Sequence, residues 1–534
     1  MTSLSDKVDA LFAAWNKVDS PGCALAVIKG SEIIYKHGYG MADLERNAPI
    51  SPASVFDIGS TGKQFTAMLI AILAQQGALS LDNSIHQYIP ELPIYEQPIT
   101  IRHLVYHTSG LRDYASLMYL SDMHFENFYY EEELLDLICR QKSLNFKPGD
   151  EFLYSNTGYF LLGVLARRIT QKPFPELIRE NILEQLGMHV TGFNDDAKRI
   201  VKNRAIGYSS EEGDRYCTEI SFCGGFGDGA IISTVEDLFL WDQNFYNNKL
   251  GSGGDELIQQ VFTPGVLNSG EKLDYLFGLE IGNYRGLRKV SHAGGWVGYR
   301  AELMRFPDQR FSVICLANLN SINPSQLAQQ VADIYLADQF TEQDPPFRQG
   351  ATEFVELPTS QIENLAGFYR HQKNGNFLKL STQSGKLIGE LFGYSFELNA
   401  ISSTHLKAAR SAFDIQISIQ EPDPKGVRII SVRLSGRKPE LYRKVAAAAV
   451  VPSQLIDYLG DYHSGELNIS YTILLDKEQL FMKRGYSPKE ALQPIKRDVF
   501  TSRYLDLQFE RNEQNQVCAF KLGAGRVRDI CFIK

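Results

Sequence analysis

A polar run holding two adjacent prolines, 341–350 (TEQDPPFRQG), places the strongest constraint on how this chain folds. On its N-terminal side apolar residues recur at helical and strand spacings alike; on its C-terminal side they form short alternating stretches broken by Gly and Asn. Proline interrupts helix and sheet, and a change of period across it marks a domain boundary. A single hydrophobic core rarely grows beyond about 300 residues, so a 534-residue chain needs such a division. A second break, 445–452 (VAAAAVVP), divides the C-terminal part again. The expected organisation is a domain over 1–340, a linker over 341–357, and two small antiparallel β-barrel domains over 358–446 and 452–534.

The first domain opens with a hairpin, apolar strands at 23–28 and 32–37 around Lys29-Gly30-Ser31. From 64 to 76, Phe65, Met68, Leu69, Ile72 and Leu73 recur at spacings of three and four, which predicts an apolar helix ended by Gly77. Further helices are predicted over 131–140 and 159–170. Strands return at 301–306 and 311–318, and a last helix carries Leu327, Val331, Ile334 and Leu336. Strands at both ends with helices between imply a sheet joined from N- and C-terminal strands around a helical insertion, an α+β fold.

Beyond the linker, strands are expected at 377–380, 387–391 and 413–419. A weak internal repeat spans the second break. Ser360, Gln361, Gly367 and Tyr369 match Ser453, Gln454, Gly460 and Tyr462 at one offset of 93, and Lys386-Leu387 against Gln479-Leu480 keeps it. One shared offset favours duplicated β domains.

Charge narrows the partners. Residues 1–349 hold 29 basic and 43 acidic side chains, so the whole deficit of −9 arises there. An acidic segment repels phosphate backbones, and nucleic acid is not an expected partner. No apolar run approaches the ~18 residues of a membrane span, and the first residues lack the order of a signal peptide, so the expected compartment is the cytoplasm. Cys23, Cys139, Cys217, Cys223, Cys315, Cys518 and Cys531 are odd in number and scattered, which fits reduced packing thiols. Nothing in the His, Cys and Asp spacing calls for a metal, and no cofactor is expected.

One nucleophile stands out. In 56–65 (FDIGSTGKQF) Ser60 immediately precedes the apolar helix, with Lys63 one turn on and on the same face. A lone serine is a poor nucleophile, and a lysine held close to it out of water supplies the base. Ser-x-x-Lys also occurs at Ser269 and Ser435, but in polar, turn-like settings with no apolar helix behind them. Ser60 is equally placed to be an ordinary helix cap. Two further motifs shift the balance: Tyr154-Ser155-Asn156 just ahead of a helix, and His292-Ala293-Gly294-Gly295, an imidazole beside glycines whose bare backbone admits a substrate.

Ser-x-x-Lys, Tyr-x-Asn and His-x-Gly in this order resemble the penicillin-recognising serine hydrolases, the branch of class C β-lactamases, D-Ala-D-Ala carboxypeptidases and D-aminopeptidases. The resemblance extends to 21–27 (PGCALAV), 99–111 (ITIRHLVYHTSGL) and 227–238 (GDGAIISTVEDL) and covers about residues 5–340. It implies a β-lactamase/transpeptidase-like domain, an antiparallel sheet flanked by helices plus an all-helical region. It also implies an acyl-enzyme mechanism: Ser60 attacks a carbonyl, Lys63 and Tyr154 relay its proton, Asn156 holds the substrate amide, and the backbone N–H groups of Ser60 and Gly295 form an oxyanion hole. His292 and Gly294 complete the substrate-binding strand.

The departure from the family is His292, where β-lactamases and carboxypeptidases usually place a lysine that attracts the substrate carboxylate. A histidine there, in an acidic segment, favours a neutral or cationic acyl donor: a small peptide, an amide or an ester. The acidic and aromatic stretch from Asp113 to Glu133 could receive an amine by charge and cation–π contact, or be an ordinary solvated helix. The layout of one hydrolase domain and two β domains is similar to that of D-aminopeptidases. The expectation is a D-aminopeptidase-like serine hydrolase; a carboxylesterase or β-lactamase/D,D-peptidase using the same residues, and a non-catalytic ligand sensor, are the alternatives. A homodimer accords with base rates.

Overall fold

The computed structural model describes residues 3–534 apart from 197, 211–214, 220–226, 342–353, 373–375, 392–393, 410–414, 435–438, 446–451 and 503–504. Most of the linker, Cys223 and the third Ser-x-x-Lys, Ser435 to Lys438, lie outside the described residues. The chain forms two compact units. The first comprises Met1–Leu111, Phe125–Leu134 and Phe146–Gln349, and the second Arg112–His124, Leu135–Asn145 and Gly350–Lys534.

The first unit is built on a six-stranded antiparallel sheet: β1 (Cys23–Lys29), β2 (Glu32–Tyr39), β3 (Glu280–Tyr284), β4 (Leu287–Trp296), β5 (Tyr299–Phe306) and β6 (Phe311–Ala317), in the order β3-β4-β5-β6-β1-β2. The N-terminal hairpin thus joins the C-terminal strands, Cys23 opposite Ala317, as expected of a sheet interrupted by a helical insertion. All of β1 but Lys29 is buried because helices cover both faces. On one face the helix Pro324–Tyr335 sets Leu327, Ala328 and Val331 against Met304, Val313 and Cys315. The helix Val235–Asn244 lies against β1 and β6. The predicted apolar helix runs from Lys63 to Gln75, buried from Lys63 to Leu73, an interior helix rather than an amphipathic one. Trp241 stacks on its Phe65 and donates its indole N–H to Gln64 Oε1 at 3.0 Å.

In the second unit eight strands, from Gly367–His371 to Glu440–Val445, each pair with their neighbour and the first pairs with the last, a closed barrel. A nine-stranded sheet follows, with Gly460–Ser464 near its centre. Its two edge strands, Glu490–Ala491 and Gln493–Lys496, are separated in the chain by Leu492 alone, so the sheet curls almost to closure. The repeat proves to be a shared corner. Gly367 and Gly460 open equivalent strands at φ +140° and +137°, where a side chain is strained. Two residues on, Tyr369 donates its hydroxyl to Leu365 O, and Tyr462 to Tyr458 O, both at 2.8 Å. Lys444 and Lys534 lie over the respective tyrosine rings.

Arg112 is wholly buried in this unit. It donates to Glu466 at 2.7 Å, to Gln141 and Ser143, and to the carbonyls of Arg528 and Asp529. Cys23 and Cys315 are buried thiols, and Cys139, Cys217, Cys518 and Cys531 are part-buried. Among the described residues no helix is long and apolar enough to cross a membrane.

Candidate active site

Ser60 sits in a 3₁₀ turn, Gly59–Gly62, that leads into the helix Lys63–Gln75. The turn is pinned from three sides. Ile58 N–H donates to Ile231 O, Gly59 N–H to the Asp57 carboxylate at 2.8 Å, and Thr61 Oγ1 to His292 O at 3.1 Å. Asp57 is buried, which pushes its carboxyl up to about 6; the Gly59 N–H and the charge of Arg204 offset only part of that.

Strand β4 meets this turn backbone to backbone. A Cβ on Gly294 would sit 1.9 Å from Ile58 O, and one on Gly59 would sit 2.7 Å from Gly295 N. Glycine at 59 and 294 is therefore required by contact between main chains, and Gly59 also has φ +51°. Gly295 is exposed, and a methyl there would meet nothing nearer than 3.6 Å. β3 pairs with β4 only as far as Ser291, so the outer edge of β4 beyond it has no strand partner among the described residues.

Lys63 is buried, and its Nζ donates to Ser60 Oγ at 3.0 Å, Asn156 Oδ1 at 2.9 Å and Asp228 O at 2.7 Å. The last two can only accept, whereas a hydroxyl either accepts or donates. A neutral amine keeps two N–H groups for Asn156 and Asp228 and turns its lone pair on the Ser60 hydroxyl, the geometry for taking the serine proton. Asn156 begins the helix Asn156–Thr170, three residues earlier than its apolar period suggests. Tyr154 precedes it, its ring centroid 5.1 Å from Lys63 Nζ. Ser60, Lys63, Tyr154 and Asn156, read from separate motifs, are thus brought together.

His292 lies on the same face of β4, buried, with its ring 6.1 Å from those of Tyr154 and Tyr275. Its Nδ1 contacts Ala293 O at 2.7 Å; a carbonyl only accepts, so Nδ1 carries the proton, and Nε2 faces the Tyr275 hydroxyl at 3.3 Å. Burial holds the Tyr275 phenol well above its usual range, which keeps it a hydroxyl. Both imidazole nitrogens are thereby engaged within the protein. Trp296, next after Gly295 and part-exposed, meets Phe125 edge-on at 5.2 Å and forms an aromatic wall.

Tyr275 belongs to no motif, and nothing within 227–238 marks the Asp228 carbonyl as a partner of Lys63. Asp57 and His107 fall within 56–65 and 99–111, but nothing in their spacing indicates a role. Four of the six acids between Asp113 and Glu133 are engaged within the chain. Asp113 is buried and caps a helix through Ser116 N–H, Asp122 accepts from Tyr486 and Ser487, Glu131 pairs with Arg167, and Glu133 caps Tyr130. Each satisfies a donor of the chain itself.

A family described as Beta-lactamase matches residues 8–336, more than half of the chain. This chain belongs to the beta-lactamase family. As a family member it is 29% identical, over 76% of its length and 91% of the relative's, to a penicillin-binding protein of Bacillus subtilis strain 168. It is 24% identical, over 99% of both chains, to a D-aminopeptidase of Gluconobacter oxydans strain 621H. Among solved structures, the octameric penicillin-binding protein homologue from Pyrococcus abyssi superposes on this beta-lactamase-family chain with a TM-score of 0.59 at 23% identity, covering 82% of this chain and 99% of that one.

Proposed function

We propose that the chain is a serine hydrolase working through an acyl-enzyme on Ser60, and that it releases amino-terminal D-residues from peptides or amino-acid amides. The observation that carries this reading is the buried Lys63 amine 3.0 Å from Ser60 Oγ. Ser60 Oγ attacks the carbonyl carbon while its proton passes to Lys63 or Tyr154. That proton goes to the leaving amine as the C–N bond breaks, and water then cleaves the ester and restores the serine. The N–H groups of Ser60 and Gly295 face the developing oxyanion, Asn156 holds the substrate amide, and Gly294 lets β4 come close enough for both.

The substrate class rests on His292. With both nitrogens engaged inside the protein, it offers little to a substrate carboxylate, which favours donors that lack one. The D-aminopeptidase relative, matched over nearly the whole of both chains, supports the same reading. The wall of Trp296 and Phe125 suits an apolar side chain on the acyl donor.

A fluorophosphonate should label the wild type and not Ser60→Ala; no label, or equal label on both, would remove the hydrolase and leave a ligand sensor. D-Alanine p-nitroanilide should turn over faster than the L-isomer and as readily as p-nitrophenyl acetate. Turnover of the ester alone would make the protein a carboxylesterase. The Bacillus subtilis relative supports a second reading, a D,D-peptidase, which predicts a stable penicillin adduct on Ser60 in place of anilide turnover. The Pyrococcus abyssi homologue is described as octameric, and we propose that this chain too self-associates, at least to a homodimer, a state that sedimentation velocity reads directly.

A further inference from the structure

His107 follows the short helix Ile101–Val105 and has φ +57°, a conformation that a residue with a Cβ keeps only when its surroundings hold it there. What it touches is the segment carrying Tyr154. Its carbonyl accepts the N–H of Leu153 at 3.0 Å, and its Nδ1 accepts the N–H of Ser155 at 3.1 Å. The two bonds bracket Tyr154, tying the main chain on either side of it to one residue. The imidazole, 1% exposed, also lies against the Tyr154 ring, with centroids 4.2 Å and planes 32° apart. Tyr275 and Tyr159 pack on the same imidazole, at 4.7 and 5.1 Å. An Nδ1 that accepts an N–H carries no proton, so the ring N–H is on Nε2.

We propose that His107 is the positioning residue for Tyr154, fixing the height of its backbone and the plane of its ring so that the phenol stays beside Lys63. It touches neither Ser60 nor substrate in this role; it acts through Tyr154 alone. The assignment rests on the proposed function, in which Tyr154 shares the proton relay with Lys63. A reacting group displaced by about 1 Å loses on the order of 100-fold in rate, so a residue that holds one main chain and one ring has a large lever.

The test is a double-mutant cycle in the full chain, read by kcat and KM on D-alanine p-nitroanilide and by the rate of fluorophosphonate labelling of Ser60. His107→Ala should lower kcat and the labelling rate about 100-fold with KM nearly unchanged, and should add little in a Tyr154→Phe background. His107→Asn tolerates positive φ and sets Oδ1 near the place of Nδ1, so it should restore most of the loss. His107→Gln, whose acceptor sits one atom further out, should not. If His107→Ala does not fold, the Asn and Gln variants in both backgrounds carry the test, and equal activity of the two overturns the proposal. Losses that combine independently with Tyr154→Phe, or a change confined to KM, overturn it as well. Absence of labelling on the wild type overturns the proposed function and this assignment together; labelling with independent losses overturns this assignment alone.

Discussion

Replacing Asp57 by Asn should stabilise the protein, and by an amount that depends on pH. The Asp57 carboxyl is buried behind the Ser60 turn and is pushed from its ordinary value of 3.8 up to about 6. Between those values the folded protein holds a proton that the unfolded chain has released, so stability falls as pH rises through the window. The shift of about two units corresponds to about 3 kcal/mol, fully present above about pH 6 and absent below about pH 4. Asn keeps an oxygen for the Gly59 N–H, which Asp57 accepts at 2.8 Å, and carries no charge to bury. Asp57→Asn should therefore gain up to about 3 kcal/mol at pH 8 and nothing at pH 4. All three tryptophans, Trp15, Trp241 and Trp296, lie in the first unit, so tryptophan fluorescence during urea unfolding reports that unit. A stability difference that is constant with pH, or an Asn variant less stable at pH 8, would refute the argument that burial dominates at Asp57.

Gly294→Ala forces a methyl to 1.9 Å from Ile58 O and should cut Ser60 labelling by more than about 100-fold, whereas Gly295→Ala, with 3.6 Å of clearance, should cost about tenfold or less. Equal losses in labelling kinetics would contradict the main-chain contact. Arg112→Ala strands the buried Glu466 carboxylate and should cost about 3–5 kcal/mol in the second unit, with most of it recovered in Arg112→Met/Glu466→Leu; hydrogen exchange of the nine-stranded sheet reads both. Tyr369→Phe and Tyr462→Phe each remove one buried hydrogen bond and should each cost about 1 kcal/mol. A loss at one corner with none at the other, followed by circular dichroism, would show that the two are not equivalent.

Local apolar runs and periodicity were enough to place β1, β2, β5, β6 and the helix behind Ser60 within one or two residues, because the signals that define them are local in the chain. The Ser60, Lys63, Tyr154 and Asn156 set was legible because motif order substitutes for distance. What periodicity could not reach depends on register and packing. Tyr275 meets His292 across a turn of chain that no spacing encodes. Asp113 looks like surface charge but serves as a buried cap. The segments Arg112–His124 and Leu135–Asn145 belong with strands more than 300 residues away, as Arg112 with Glu466 shows. The offset of 93 was visible, but not that its Gly and Tyr make one corner twice.

The contact of Gly294 with Ile58 also bears on how such a protein diversifies. Where β4 passes the Ser60 turn, main chain is pressed on main chain, with 1.9 Å where a methyl would go, and side-chain substitution has no means of adjusting it. On the proposed function, new substrates are accommodated through neighbours that do carry side chains, Trp296, Phe125 and His292 foremost, while the chemical step stays the same.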